Sequence, residues 1–390
     1  MAKLCIYIPP FAADYAGVCS VFFDFDCLTA INDASCCTSH YVRYDEPRWS
    51  ENKKSTFCTS LRNIDAILGN DDKVVKRICE ASEHLDSYMI ALVGTPVPAL
   101  TGMDMEGIAY EIESSTGKPP FGFNTTGFDY YDKGIVLAGK SLFDRFAQEE
   151  VELIPHSLNI LGVTPLDFGA VGNDISFCDY FYKSGWTVNG SYFMGTSLDQ
   201  IKNVAAAEIN LAVTASGLQL AKYLQSRFGT PYIAACPTGF RHGNYLLKHM
   251  DAGRALPIHS ITEKSSVLIV ADQVIGNSIR DALRVHGCLA GITVATFFSW
   301  SATIAERGDM ALSSEKQLVE LVRSRNYTTL IGDPYLWRFP GCEELRQVPV
   351  AHPAVSSRLT WNTVSKWLSS AFDSLLANVV SAVNEEFKQL

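Results

Sequence analysis

Short apolar runs that alternate with stretches of helical spacing are the feature that most constrains how this chain can fold. Residues 3–8, 88–93, 265–272 and 328–332 are such runs, and helical patterns lie between them. Strands of this length that alternate with helices are typical of parallel α/β domains. The sequence therefore predicts an α/β fold with three Rossmann-like domains, whose mainly parallel sheets meet around a central cleft.

The chain has 390 residues, which is too many for one ordinary hydrophobic core. We place an N-terminal α/β domain at residues 1–150, a middle α/β domain at residues 151–260, and a C-terminal α/β domain at residues 261–390. The polar residues 247–264 are the predicted bridge to the third domain. Residues 361–387 have an amphipathic helical pattern and are predicted to close the fold.

The composition excludes several classes of protein. With 47% hydrophobic and 19% charged residues the chain is globular, and its net charge of −10 argues against a nucleic-acid surface. No apolar stretch reaches the roughly 20 residues of a membrane span, and the apolar N-terminal run is too short for a secretory signal. Eleven cysteines without such a signal indicate a reducing compartment. We expect a cytoplasmic protein with no nucleic-acid or membrane partner.

Residues 15–49 hold an unusual concentration of cysteine. A mostly apolar run over residues 18–31 leads to the small turn Asp33-Ala34-Ser35, which is followed at once by Cys36 and Cys37. Small residues before a cysteine present a thiolate where backbones approach closely. The four cysteines of this stretch are Cys19, Cys27, Cys36 and Cys37. They indicate a metal or redox site, and the alternative that they are small core residues stays open.

In open α/β sheets, ligands collect beyond the carboxyl ends of the strands. The turns after Ile31, Val93, Asn124 and Ala235 are therefore the predicted places for chemistry.

The segment GIVLAGKS, residues 134–141, matches the phosphate-binding pattern G-x-x-x-x-G-K-[ST]. A phosphate-binding loop needs a strand directly before the first glycine and a flexible interior. The interior here is apolar, and Ile135, Ala138, Leu142 and Phe146 recur at helical spacing. We therefore predict a helix, with a phosphate-binding enzyme as a minor alternative.

The order of features resembles the nitrogenase component 1 superfamily, which includes the large subunits of nitrogenase and of nitrogenase-like tetrapyrrole reductases. Tyr15-Ala16-Gly17 resembles the glycine-alanine turn of that family, and residues 33–37 resemble the turn that ends in a cluster-ligating cysteine. This resemblance aligns Cys37 with the ligand. Three later stretches are similar to later blocks of the family: residues 63–73, 229–247 and 330–359.

The departures from that family limit what the resemblance implies. Nitrogenase subunits each supply three cysteines to a bridging cluster, but the other two positions fall near Ala13 and at about Pro96. An eight-iron bridging cluster is therefore not expected. The cysteine that anchors the active-site cofactor falls near Ala221, so no FeMo-type cofactor is expected either. His352 stands close to the cofactor's histidine position, and it is predicted to line a substrate pocket or to be structural.

The resemblance leaves room for a simpler iron–sulfur cluster. A [4Fe–4S] cluster takes four thiolates, and two from each subunit of a dimer would bridge the subunits. We expect Cys37 to be one ligand and Cys19 the second. Cys36 is less suited because successive side chains point apart, and Cys58 is the reserve. The other seven cysteines are predicted to fill the core.

Polar residues near the cysteines are the predicted proton carriers. Asp33 lies in the turn, and His40 follows Cys37 by three residues, so that both are candidate catalytic residues beside His352. Four charged residues further on are predicted to form a salt-bridged subunit interface: Arg43, Asp45, Glu46 and Arg48.

The resemblance implies an oxidoreductase: the catalytic component of an oxygen-sensitive, nitrogenase-like reductase. An ATP-hydrolysing iron protein would deliver low-potential electrons through the interfacial iron–sulfur cluster to an unidentified small molecule. The partner subunit would be an identical chain or a related one, in a homodimer, heterodimer or heterotetramer. The alternative of a different class is a non-enzymatic scaffold or carrier that holds an iron–sulfur cluster or a tetrapyrrole during cofactor assembly.

Overall fold

The computed structural model describes residues 5–50, 56–69, 71–253, 256–257, 265–324 and 327–389. In these residues the chain forms three β-sheets, and the strand pairs within each sheet are parallel. The predicted α/β class with three mainly parallel sheets is therefore confirmed.

The three sheets follow one another along the chain. The strands of the first, in the spatial order β2-β1-β3-β4, are β1 (Cys27–Ile31), β2 (Thr56–Cys58), β3 (Met89–Val93) and β4 (Pro120–Phe123). Those of the second, in the order β6-β5-β7-β8, are β5 (Ile154–Leu161), β6 (Thr187–Tyr192), β7 (Ala207–Ala212) and β8 (Tyr232–Ala234). Those of the third, in the order β11-β10-β9-β12-β13, are β9 (Ser265–Val270), β10 (Gly291–Thr296), β11 (Met310–Ala311), β12 (Thr329–Gly332) and β13 (Arg346–Pro349).

Helices cover the sheets. The α-helices are α1 (Asp14–Phe22), α2 (Cys36–His40), α3 (Asn63–Leu68), α4 (Asp71–His84), α5 (Pro96–Thr101), α6 (Met105–Thr116), α7 (Tyr131–Phe146), α8 (Pro165–Phe168), α9 (Asn173–Lys183), α10 (Leu198–Lys202), α11 (Ala215–Phe228), α12 (Gly239–Asp251), α13 (Gln273–Val285), α14 (Glu315–Ser324), α15 (Pro353–Ser356) and α16 (Ser370–Gln389). A π-helical turn spans Tyr41–Asp45, and 3₁₀ turns span Pro47–Ser50, Val204–Ala206, Ala302–Ile304, Pro334–Arg338, Cys342–Glu344, Ser357–Leu359 and Trp361–Thr363. None of the helices in the described part of the chain is long and apolar enough to cross a membrane.

The central strands explain why the sheets are parallel and covered on both faces. Every residue of β1, β3 and β10 is buried. Strands that are buried on both faces read as continuous apolar runs, and such strands need helices on both sides. This burial is what the apolar runs of the sequence predict.

Helices α1 and α7 cross so closely that the contact has no room for a side chain. A Cβ at Gly17 would lie 2.0 Å from the backbone oxygen of Tyr131, and a Cβ at Gly134 would lie 1.9 Å from the backbone oxygen of Asp14. Non-bonded heavy atoms normally approach to about 3.5 Å. The glycine that resembles a family turn, Gly17, is therefore inside a helix, and its role is close helix packing.

The phosphate-loop pattern lies within α7, so the prediction of a helix over residues 134–141 is confirmed. Ile135, Ala138 and Leu142 are fully buried and form the apolar face of that helix. Lys140 points its ammonium group over the ring of Tyr223, 5.6 Å from the ring centroid. No backbone cradle for a phosphate exists where these residues are helical.

We expect the chain to bind no ATP at residues 134–141. In a phosphate loop the lysine contacts the nucleotide, so Lys140→Ala would abolish binding there. Isothermal titration calorimetry should give no ATP heat signal for the wild type or for Lys140→Ala. Micromolar ATP binding that Lys140→Ala removes would contradict the helix assignment.

Helix α7 also joins the first sheet to the second. Besides α1, it packs against α10 and α11. A Cβ at Gly139 would lie 2.9 Å from Leu220 Cδ2 on α11 and 2.9 Å from Phe193 Cζ after β6. One helix is therefore packed between elements of two units.

Several element bounds differ from the predictions. The apolar run over residues 18–31 divides between α1 and β1, with residues 23–26 between them. Residues 5–8 form no strand, and the closing helix begins at Ser370, well after the predicted 361. Of the predicted bridge 247–264, the first residues belong to α12, and residues 254–255 and 258–264 lie outside the described residues. The domain boundaries at residues 150 and 260 stay a prediction.

Candidate functional site

The turn after β1 is held by the carboxylate of Asp33. Its Oδ2 accepts hydrogen bonds from the backbone N–H groups of Ser35 and Thr38, each 3.0 Å long. Ser35 has a φ of 100°, a left-handed conformation that residues with a side chain rarely adopt. The predicted proton carrier Asp33 is therefore buried and engaged in supporting this turn.

Helix α2 begins with the two adjacent cysteines. Cys36 is exposed and Cys37 is half-buried. Burial, followed by the nearby carboxylate of Asp33, raises the pKa of Cys37 to about 11, although a hydrogen bond from the Tyr15 hydroxyl acts in the opposite direction. The thiol is therefore protonated at neutral pH in the metal-free chain. A metal would displace this proton, because the thiolate is the form that binds metals.

Cys58 lies beside the same turn, at the end of β2. Its Sγ donates a hydrogen bond to the backbone oxygen of Asp33 over 3.0 Å, and β-pairing puts it opposite Ile31. It is half-buried, like Cys37. The structure thus brings the reserve ligand Cys58 to the sheet edge that carries Cys36 and Cys37.

Cys19, the expected second ligand, has a different environment. It lies on α1, is 1% exposed, and packs within the hydrophobic core. Burial, and then the neighbouring Cys27, raises the pKa of its thiol well above the ordinary value. Cys19 and Cys37 both lie near Tyr15, but only Cys37 is partly open to solvent.

Among the seven cysteines predicted to fill the core, the environments are mixed. Cys27, Cys236 and Cys342 are buried, Cys79, Cys178 and Cys288 are half-buried, and Cys5 is exposed. The prediction is wrong for Cys5. In the described ranges no three His, Cys, Asp or Glu side chains of the chain converge as a metal site.

His40 is a partly exposed side chain at the end of α2. Its Nε2 lies 3.7 Å from Asp45 Oδ1, and its ring centroid lies 5.2 Å from that of Tyr44. Burial lowers the pKa of His40. Burial, and then the charge of Glu46, raises the pKa of Asp45 to about 7. His40 and Asp45 are therefore neighbouring titratable groups, of which His40 is the one that solvent reaches.

The predicted salt-bridged interface is wrong for three of its four residues: Asp45, whose side chain is 3% exposed, Glu46 and Arg48. The guanidinium of Arg48 bonds Glu46 Oε1 over 2.7 Å and Asp24 Oδ2 over 2.9 Å, and it also donates to the backbone oxygen of Ser20. Glu46 is fully buried and Arg48 nearly so. Their charges stabilise the chain internally, because burial makes them unavailable to a partner.

A second group of polar residues lies where the three sheets meet. His352 is buried at the start of α15. Its ring Nε2 lies 3.0 Å from the Tyr131 hydroxyl and 3.4 Å from Asp167 Oδ1. Its backbone N–H donates a hydrogen bond to Asp333 Oδ2. His352, Asp167, Asp272 and Asp333 line a cavity of about 20 Å³, which has room for one water molecule. His352 is therefore held in a buried polar network.

Asp272 is the most perturbed carboxyl group of this junction. It follows β9 and accepts the backbone N–H of Ala215, 2.8 Å from Oδ2, and that of Val274, 2.9 Å from Oδ1. Burial, and then the nearby carboxylate of Asp167, raises the pKa of Asp272 to about 7. A carboxyl group that caps α13 and also contacts α11 ties the third unit to the second.

We expect the free energy of unfolding to fall as the pH rises from about 4 to about 7. Asp272 has its ordinary pKa near 3.8 in the unfolded chain and about 7 in the folded chain, so the folded state holds a proton that the unfolded state has lost. The effect should be roughly 1–3 kcal/mol. Urea denaturation at several pH values measures this free energy. Its decline with pH should be smaller for Asp272→Asn than for the wild type, and the exposed control Asp199→Asn should decline as the wild type does.

The junction was not predicted from the sequence. The expected turns follow Ile31, Val93, Asn124 and Ala235, whereas Asp272 and Asp333 follow β9 and β12. The signal was present, since both acids end an apolar strand, in VLIVAD and LIGD. The contributions of Tyr131 and Asp167 had no such signal, because neither ends a strand.

A family model described as "Nitrogenase component 1 type Oxidoreductase" matches residues 14–310. Among curated proteins, the nitrogenase iron-molybdenum cofactor biosynthesis protein NifE of Clostridium pasteurianum is 26% identical over 208 residues, which are 51% of this chain and 43% of that protein. The nitrogenase molybdenum-iron protein alpha chain of the same organism is 22% identical over 181 residues, 45% of this chain and 33% of that protein. The chain thus matches less than half the length of these curated relatives.

Solved structures share the fold over nearly the whole chain. The structure titled "Nitrogenase Cp1 at pH 6.5" has a TM-score of 0.70 and 13% sequence identity, and the match covers 99% of this chain and 95% of that one. The one titled "Nitrogenase Cp1 at pH 5" has a TM-score of 0.64 and 12% identity. At these identities the likeness concerns the fold.

Proposed function

The chain belongs to the nitrogenase component 1 type oxidoreductase family, and from this premise we propose that it is the catalytic component of a nitrogenase-like reductase. An ATP-hydrolysing iron protein supplies low-potential electrons, an interfacial iron–sulfur cluster receives them, and a small molecule is reduced. The observation that carries the proposal is the gathering of Cys36, Cys37 and Cys58 at one edge of the first sheet.

We assign two cysteines of this edge to half of the ligand set of a [4Fe–4S] cluster. Cys37 and Cys58 are both half-buried, and thiolates are the ligands that such clusters take. Two thiolates from each of two subunits complete the set of four. Cys19 stays the alternative second ligand, although its burial in the core favours Cys58. When bound, the cluster would supply one-electron transfer.

The surface beside the cysteines favours a protein partner. Helices α3 and α5 contact each other next to Cys58, and Ile67 is 78% and Leu100 76% exposed. Further exposed apolar side chains on these helices are Ile64, Leu68 and Val97, and Phe57 on β2 is exposed as well. Exposed apolar groups of this kind mark protein–protein contacts. We assign the face to the partner subunit, a second copy or a related chain, with which the cluster is shared.

Proton delivery is assigned to His40 in the first place. It is partly exposed, its Nε2 lies 3.7 Å from Asp45 Oδ1, and it lies on the same helix as Cys37. Asp33 is occupied by its hydrogen bonds to the turn, and His352 belongs to the junction of the three sheets. In this proposal, Asp33 therefore stabilises the cysteine turn and His352 stabilises the junction, and neither delivers protons.

Anaerobic purification tests the proposal. We expect protein-bound iron and acid-labile sulfide in equal amounts, and a paramagnetic resonance signal after reduction. A reduced nitrogenase-type iron protein that is mixed with ATP should become oxidised only when this chain is present to accept its electrons. Iron-free protein after anaerobic reconstitution would overturn the proposal.

A second candidate function is that of a scaffold or carrier in cofactor assembly. It is favoured by the curated relatives named as iron-molybdenum cofactor biosynthesis proteins. A scaffold gives its cluster or tetrapyrrole away, whereas a reductase keeps its cluster through many turnovers. Transfer of iron to an apo-acceptor without ATP-dependent turnover would favour the scaffold.

A further inference from the structure

A cavity of about 550 Å³ opens beside His40, at the end of α2. Four parts of the chain line it: residues 9, 10 and 12, the end of α2 with the π-helical turn, Tyr335, and residues 354–359. Its volume lies within the range of small-molecule sites, roughly 300–1,000 Å³. The cavity is distinct from the small space around His352, although Val355 lines both.

The walls of this cavity are apolar and its ends are polar. Pro9, Pro10 and Val355 form apolar surface. His40 and the largely buried carboxyl group of Asp45 also line the cavity, and the His40 Nε2 lies 3.7 Å from the Asp45 Oδ1. These side chains offer hydrogen-bonding groups to a ligand.

The outer end carries a positive charge. Arg358 lines the cavity, its side chain is exposed, and it forms no ion pair within the described ranges. Charged side chains on a protein surface are usually solvated. One that lines a cavity of this size can instead hold an anionic group, which the planar guanidinium binds through two parallel hydrogen bonds.

The loop that presents Arg358 is fixed in place. Its neighbour Ser357 has a φ of 55°, in the left-handed region, and the Ser357 hydroxyl donates to the backbone oxygen of Tyr44 over 2.7 Å. A residue with a side chain is held in that conformation only when its surroundings enforce it. The hydrogen bond joins two of the segments that line the cavity, so the site is formed before a ligand arrives.

We propose that this cavity binds an amphipathic organic anion, with its anionic group on Arg358, its apolar body against Pro9, Pro10 and Val355, and a hydrogen-bonding group towards Asp45. Binding of the anion stands on the cavity alone. That the anion is the molecule to be reduced rests on the function proposed above, since His40, the assigned proton carrier, lines the same space.

Fluorescence titration of the full-length protein with 8-anilinonaphthalene-1-sulfonate tests the site, because this probe has one anionic group on an apolar body. Arg358→Gln should weaken its binding about tenfold, as expected for loss of a charge-assisted hydrogen bond. Arg323→Gln, at an exposed arginine on α14 outside the cavity, should leave binding within twofold. The neutral analogue N-phenyl-1-naphthylamine should bind the wild type and Arg358→Gln equally.

The probe could also bind the exposed apolar face on α3 and α5, and Leu100→Ser separates the two sites. If Leu100→Ser removes the signal and Arg358→Gln does not, the cavity proposal is overturned. Equal binding of the sulfonate by wild type and Arg358→Gln overturns it as well. Iron content, measured on the same anaerobic preparations, tests the cluster separately, so that failure of one proposal is distinguishable from failure of the other.

Discussion

Replacing Gly134 by alanine is expected to lower the free energy of unfolding by about 3 kcal/mol or more. The added Cβ would meet the backbone oxygen of Asp14 at 1.9 Å, and backbone on both sides of the contact leaves no flexible side chain to move aside. Overpacking of a tight contact costs roughly 1–3 kcal/mol, and a clash between two helix backbones belongs at the upper end. Urea denaturation followed by circular dichroism measures the change.

Lys140→Ala is the matched control for this substitution. Lys140 lies on the same helix and its contact to Tyr223 is a weak cation–π interaction, so we expect a loss below about 1 kcal/mol. The two variants also separate the two explanations of the GIVLAGKS segment. A stable Gly134→Ala protein would contradict the close helix crossing.

Replacing Cys37 by alanine is expected to abolish the visible absorbance and the iron content of an iron–sulfur cluster, and to weaken dimerisation. Cys37 is the position that resembles the family's ligand, and its loss removes a metal bond that a neighbouring side chain does not replace. Visible absorbance spectroscopy and iron analysis measure the loss under anaerobic conditions. Size-exclusion chromatography measures the association state.

Cys288→Ala is the control for that experiment. Cys288 is half-buried and packs against the core of the second and third units, so its replacement should cost about 1–2 kcal/mol and leave the iron content unchanged. Cys58→Ala and Cys19→Ala then identify the second ligand: the one that provides it should lower the iron content as Cys37→Ala does. If Cys37→Ala retains all its iron, the cluster assignment fails and the scaffold function becomes the better one.

The fold could be predicted from the sequence wherever the burial of a segment alone decides whether it is a helix or a strand. Residues 267–270 are apolar throughout and residues 329–332 are all buried, because parallel strands are covered on both faces, and such runs leave little doubt about the element. The run over residues 18–31 was harder, because a buried helix and a buried strand look alike by composition. The close crossing at Gly17 and Gly134 was hidden for a similar reason, since glycine in a sequence more often signals a turn.

The candidate site could be predicted from the sequence only in part. A small-residue turn before Cys36 and Cys37 is a local signal, and the structure has that turn at the end of β1. The position of Cys58 beside it follows from the pairing of β1 with β2, which connects residues far apart in sequence. The burial of Glu46 and Arg48 was missed because a charged run looks the same whether its ions pair inside the chain or with a partner.

The position of α7 between two units has a consequence for how the molecule holds together. A fragment that ended after α7 would expose Gly139 and its neighbours, which in the whole chain are covered by Leu220 and Phe193. The first two units are therefore expected to unfold together, because neither can open without breaking contacts with the other. The cysteine turn belongs to the first unit, so its stability depends on both units.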